Sequence, residues 1–318
     1  MSEGQGERAA GEPVTFRGCT HPPSCHTGEA PVLASATTKA RYWLLIEHNG
    51  PWAAQVPDTR MPGHMAALIE RATALGIRTQ LIRRPGRRPR AEGREVHVLL
   101  AYGVGPAPWL AEGVFADPDD LDLDALVHGV VPESCILVSE PVFLVCTHAK
   151  RNACCARIGQ PLARLLGERL PESVWETSHV GGDRYAANLV CLPHGLYYGS
   201  MSGAAAIAAA DAYRHGEVVL DRYRGRAGIP EPLQAAEHFV RERTGELSVG
   251  GVAVESSRAD GDVTEAVVRS GDVRVRVVVE PVAFQAPCGT ACAETITTYR
   301  LVSLDRLEPV RYATPVLT

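Results

Sequence analysis

The stretch from Pro141 to His179 constrains the fold more than any other part of the chain. An apolar run, PVFLVC (141–146), is followed by a long amphipathic pattern and then by SVWETSH (173–179). The pattern starts at about Ala156, with Ile158, Leu162, Leu165, Leu166 and Leu170 on one face. Strand, helix, strand in that order predicts a crossover unit, whose right-handed connection lays the two strands side by side and parallel. Their carboxyl ends must then converge. Cys146 lies at one end and His179 at the other.

The same unit continues with ANLVCL (187–192), a turn at Pro193-His194-Gly195, LYYG (196–199) and an alanine-rich helix at about 203–215. This is the element order of a thioredoxin-like domain. An earlier segment repeats the plan. YWLLIEHNG (42–50) reads as a buried strand, and MAALIERATALGI (65–77) as a helix with Met65, Leu68, Ile69, Ala72 and Leu75 inward. TQLIRR (79–84) and EVHVLLAYG (95–103) read as two further strands. Beyond residue 217 the pattern changes to one helix, EPLQAAEHFVRER (231–243), and four antiparallel strands with hairpin turns at Asp260-Gly261 and Ser270-Gly271. Arginine alternating with valine over 274–277 gives that sheet one wet face.

The expected class is therefore α/β: two thioredoxin-like units in tandem plus a small C-terminal α+β module. The expected boundaries are a flexible arm at 1–30, a first unit at 31–132, a second at 133–216 and the module at 217–318. The net charge of −5 gives no reason to expect nucleic-acid binding. The polar N-terminus has no signal-like apolar stretch. The longest bland run, from Gly203, carries Asp211 and is too short to span a membrane. The expected compartment is the cytoplasm, where nine cysteines would stay mostly reduced and clustered ones favour metal or redox chemistry.

Cys146, Cys155 and His179 flank glycine-rich backbone at Gly181 and Gly182, where N–H groups can approach a ligand closely. Cysteine and imidazole suit an iron–sulfur centre or a zinc ion. Buried core thiols with a strand-end histidine are the bland alternative. A thiol–disulfide enzyme is another, although the chain has no C-x-x-C. Cys288 and Cys292 form a C-x3-C loop read as idle thiols, and GCTHPPSCH (18–26) reads as part of the arm. RRPGRRPR (83–90) reads as a solvated loop that could dock an acidic partner. There is no P-loop, no nucleophile elbow in register and no carboxylate pair for sugar hydrolysis.

CTHAKRNACCARIGQPLARLL, SHVGGDRYAANLVCLPHGLYYG and YWLLIEHNGPW together resemble the sucrase/ferredoxin-like family over roughly residues 32–216. The resemblance implies a thioredoxin-like ferredoxin domain with a [2Fe–2S] cluster, held by a Cys-x8-Cys pair and, in one branch, a His-x3-His pair. By position these are Cys146 and Cys155, then His179, with Asp183 where the second histidine would stand. Asp183 is placed first as fourth ligand, with Cys154, His148 and Cys191 as the alternatives. Cys191 also reads as a buried apolar thiol beside Leu189. The implied function is one-electron transfer with an unidentified redox partner protein, as carrier or reductase component. A cluster-free binding protein and a thiol-based reductase remain as other readings. The first unit ends its matching strand in EHNG, without cysteine.

Overall fold

The computed structural model describes residues 30–86, 95–285 and 295–308. Residues 1–29 of the expected arm, the C-x3-C pair and the second half of the arginine-rich stretch, 87–90, lie outside the described residues.

Strands β1 (Tyr42–Glu47), β2 (Arg78–Arg83), β3 (Val96–Tyr102), β4 (Trp109–Phe115) and β5 (Ile136–Val138) form the first half of a large sheet. Helix α1 (Gly63–Ala74) connects β1 to β2, and the short α2 (Leu123–Val127) lies between β4 and β5. The second half comprises β6 (Val142–Cys146), α3 (Ala153–Arg169), β7 (Val174–Thr177), β8 (Leu189–Leu192), β9 (Leu196–Tyr198), α4 (Gly203–Arg214) and β10 (Tyr223–Arg226). The strand order is β10-β9-β8-β6-β7-β2-β1-β3-β4-β5, a single ten-stranded sheet. β1 and β2 pair in parallel, as do β6 and β7, and β2 meets β7 antiparallel where the halves join. Each half thus repeats one order, with a parallel β–α–β pair followed by antiparallel strands on the far side of its first strand.

Alternation along β1 and β6 divides the core. Leu44 and Ile46 pack with Met65, Leu68, Ile69 and Ala72 of α1. Phe143 and Val145 pack with Leu162, Ala163 and Leu166 of α3 and Ala206 and Ala209 of α4. The opposite face, carrying Trp43, Leu45, Leu144, Cys146, Val190 and Tyr197, forms one shared core. Trp43 on β1 and Tyr197 on β9 are five places apart in the sheet. A flat sheet would separate those strands by about 24 Å, yet the ring centroids lie 6.3 Å apart. The sheet therefore curls, turning the helix-free faces of both halves toward each other. Residues 35–41 close the seam, through Ser35 N–H to Arg224 O (2.8 Å) and Gly103 N–H to Arg41 O (3.2 Å).

The sheet continues past residue 216, because β10 pairs with β9. Helix α5 (Glu231–Thr244) then covers a second sheet of β11 (Val252–Asp260), β12 (Val263–Ser270), β13 (Val273–Gln285) and β14 (Thr295–Leu307). The hairpin turns sit one residue later than expected, at Gly261-Asp262 and Gly271-Asp272, with both glycines at positive φ. Val275, Val277 and Val279 are buried while Arg274 and Arg276 are exposed. Glu237 joins this module to β10, accepting from buried Arg241 (3.0 Å) and from Arg226 (3.4 Å).

Four details differ from the sequence reading. α3 begins at Ala153 because Asn152 caps it, its side chain accepting from Cys154 N–H. Leu165 is 40% exposed: α3 turns Leu162 and Leu166 inward and leaves Leu165 at the outer edge of that face. WLAEGVF, with Glu112 and Gly113 breaking the apolar run, is nonetheless strand β4. Arg83 and Arg84 are not solvated. Arg83 bonds buried Glu176 at 2.8 Å and covers Trp52, and Arg84 lies 3.6 Å over the Trp175 ring. Among the described residues no helix is long and apolar enough to cross a membrane.

The turn after β8 gives a pH-dependent contribution to stability. Burial, helped by the charge of Arg226, pulls His194 down to about 4 from its ordinary 6.5. The unfolded chain therefore takes up this proton first, so the contribution is complete above pH 6.5 and declines as pH falls toward 4. Melting temperature measured across that window should fall less steeply with acid in His194→Gln than in the wild type.

Candidate metal centre

β6 delivers Cys146 to the end of the sheet, and the polar break 147–152 turns the chain into α3. Cys155 is the third residue of that helix, so its Sγ sits in the first turn, where the helix dipole favours a thiolate. Gly159, one turn further on, lets α3 rest directly on β6. A Cβ there would lie 2.1 Å from the Cys146 carbonyl oxygen. Thr177 pairs with Cys146 across the parallel β6–β7 ladder, which puts His179 just past the neighbouring strand end. The Cys146 and Cys155 sulfurs and a ring nitrogen of His179 all lie within 4.8 Å of one another. Both cysteines are 1% exposed, and His179 is half-buried.

The electrostatics are asymmetric. A hydrogen bond from Cys155 and, after it, the contact with His179 hold Cys146 well below the usual thiol range, although burial opposes them. Cys155 is pushed up by the same bond, by burial and by the nearby charges of Cys146 and Asp183. Of the two thiols, Cys146 is therefore the one whose deprotonation the site favours. Nδ1 of His179 is buried and has no hydrogen-bond partner. A buried, unpaired polar atom costs about 1–3 kcal/mol, which ligation would recover.

The loop after His179 is organised by its carbonyls. His179 O accepts from Arg78 (3.2 Å), Val180 O from Tyr197 OH (3.2 Å), Gly181 O from Arg224 (3.2 Å) and Gly182 O from Asn188 (2.9 Å). In a trans peptide the N–H of the next residue points the opposite way. The amides of Val180, Gly181, Gly182 and Asp183 accordingly point away from these donors, and none has an acceptor among the described residues. Successive free N–H groups form a concavity suited to an anion. Gly181 (φ 95°) and Gly182 (φ 71°) supply the left-handed backbone this turn requires.

The remaining sequence candidates are placed as follows. Asp183 stands outside the three-donor group and accepts a hydrogen bond from Asn152. His148 is engaged at both nitrogens: Nε2–H donates to Ala53 O (2.6 Å) and Nδ1 accepts from His179 N–H (3.1 Å). Burial lowers its pKa, which agrees with this neutral form. It positions His179 rather than competing with it, and the Trp52 ring packs edge-on against it at 5.8 Å. Cys154 packs with Ala186. Cys191 lies in the apolar core beside Leu189, on the other face of the sheet from Cys146. Sequence reasoning missed Gly159 and Arg224. A lone glycine inside a strong helix pattern was the available signal for the first. An arginine between Tyr223 and Gly225 in a short strand gave no usable signal for the second.

Comparison with known proteins adds one finding. No curated protein and no solved structure matches this chain. Residues 33–225 match the family described as sucrase/ferredoxin-like. The match runs from the segment that closes the seam to β10 and takes in both halves of the large sheet, leaving α5 and the second sheet outside. Since it spans well over half of the 318 residues, the chain belongs to the sucrase/ferredoxin-like family.

Proposed function

We propose that this protein transfers single electrons through a [2Fe–2S] cluster held by Cys146, Cys155, His179 and Asp183. The observation that carries the reading is the convergence of two cysteines and a histidine within 4.8 Å at the ends of two parallel strands. The donor set fits the group. Thiolate and imidazole are its ordinary ligands, Nδ1 of His179 has no other partner, and the amides of 180–183 can donate to sulfide. When bound, the cluster would supply a site for one electron.

The chain's own residues would set how readily that electron is taken. Cys146 and Cys155 contribute negative charge as thiolates. His179 stands where a third thiolate could be, leaving the site less negative and its potential higher than in an all-cysteine ferredoxin. Asp183, carried to the site by the Gly181-Gly182 turn, would complete the set after giving up its bond to Asn152. Burial of both cysteines keeps water from the sulfurs.

In this reading the two halves of the sheet are tandem thioredoxin-like units, the second extended past residue 216 by β10, and α5 with the second sheet is an appended module. The first unit carries no ligands but contributes Trp52 and Ala53 as cover behind His148. The partner would be a redox protein. The hydrogen-bonded pair, with Cys146 the more readily deprotonated, also suits thiol–disulfide exchange. At 1% exposure, however, neither sulfur can meet an incoming disulfide without local opening. Anaerobic reductive titration of purified protein distinguishes these readings. The cluster requires visible absorption that bleaches with about one electron per chain. A colourless protein taking up two electrons per chain would favour the dithiol.

A further inference from the structure

Arg224 is only 2% exposed, yet among the described residues it forms no salt bridge with a carboxylate. Its guanidinium donates to Ser35 Oγ (3.0 Å), Gly181 O (3.2 Å) and Asn188 Oδ1 (2.6 Å), and to the Ser35 carbonyl (2.5 Å). All four acceptors are neutral. The rings of Tyr185 and Tyr197 lie 4.7 and 5.3 Å from it. It presses against the glycine turn so closely that a Cβ on Gly182 would come 2.3 Å from its Nη2. A buried cation without a counter-ion is costly, and folded proteins seldom keep one without a compensating charge. Burial works against the charged guanidinium, and Tyr197, Tyr185 and then Cys146 oppose that effect. The Gly181 carbonyl that Arg224 holds lies two residues from His179 of the three-donor group.

We propose that Arg224 is the internal counter-charge of the Cys146–Cys155–His179 site. It holds the ligand loop by the Gly181 carbonyl and makes addition of an electron more favourable. This rests on the cluster reading given above. Arg224 is a positioning and electrostatic residue, not a ligand.

The test must separate charge from scaffolding. Ser35 lines a cleft of about 280 Å³ next to Arg224, which leaves room for a larger side chain. Ser35→Asp would set a carboxylate against the guanidinium while keeping Arg224 and its other bonds. Ser35→Asn is the neutral control of the same shape. The full chain carrying each change, together with Arg224→Gln and Arg224→Lys, would be melted as purified. Each would then be loaded anaerobically with iron and sulfide and its midpoint potential measured.

Ser35→Asp and Arg224→Gln should each make reduction at least tenfold less favourable, a fall of about 59 mV or more. Ser35→Asn and Arg224→Lys should stay within threefold of wild type. Before loading, Ser35→Asp should melt higher than Ser35→Asn, because it sets a carboxylate directly against a guanidinium whose bonded acceptors are all neutral. Equal potentials for loaded Ser35→Asp and Ser35→Asn would overturn the proposal, whatever Arg224→Gln does. If wild type takes up neither iron nor sulfide, the cluster reading falls. The melting comparison then decides alone whether the guanidinium is a charge held only by neutral acceptors, and a lower melting point for Ser35→Asp would overturn that.

Discussion

Cys146→Ser and Cys155→Ser should each abolish metal retention, with affinity falling by more than the roughly 10–100-fold typical of losing a residue that only supports a ligand. Each change removes a thiolate from a group whose three donor atoms lie within 4.8 Å of one another. Serine is a far weaker iron ligand at neutral pH, since its hydroxyl stays protonated. Cys154→Ser and Cys191→Ser should keep iron and spectrum, because Cys154 packs on Ala186 and Cys191 is in the core behind the sheet. Iron content after anaerobic purification checks all four. Loss of iron in Cys154→Ser but not in Cys155→Ser would shift the ligand assignment by one position.

Gly159→Ala should produce the largest loss of stability from a single methyl group. Its Cβ would lie 2.1 Å from the Cys146 carbonyl oxygen. Backbone faces backbone there, so no side chain can move aside and α3 must back away from β6. Overpacking of this kind costs about 1–3 kcal/mol, occasionally more. The upper end is expected because the contact is far inside van der Waals distance. Since α3 carries Cys155, the same shift should separate the two sulfurs and weaken metal binding. Gly63→Ala, in α1 with nothing within 4 Å of its would-be Cβ, is the control. It should change stability by no more than about 0.5 kcal/mol. Denaturant unfolding of the two variants measures the difference, and equal stabilities would show that α3 has slack over β6.

The second half of the sheet was largely legible in the sequence because its signals are local. PVFLVC, the leucines of α3 and the run of ANLVCL each state their period, and the crossover rule pairs Cys146 with His179 without any contact information. The curling of the sheet was not legible. It depends on Trp43 meeting Tyr197, residues far apart in the chain and on strands with no direct pairing. β4 escaped because Gly113 and Glu112 interrupt its apolar run. Both are accommodated by the structure: Gly113 leaves room for the Phe115 ring, and Glu112 reaches His97. At the candidate metal centre, the thiols and imidazole were readable as chemistry. The parts that hold them were not, because a neutral histidine clamped between Ala53 and His179, or a buried arginine on a glycine turn, leaves no pattern of spacing.

Iron, zinc and acid-labile sulfide content of protein purified without oxygen decides what Cys146, Cys155 and His179 hold. A [2Fe–2S] cluster requires about two irons and two sulfides per chain. One zinc per chain without sulfide would contradict it, and would make Cys146, Cys155 and His179 the ligands of a single tetrahedral ion instead.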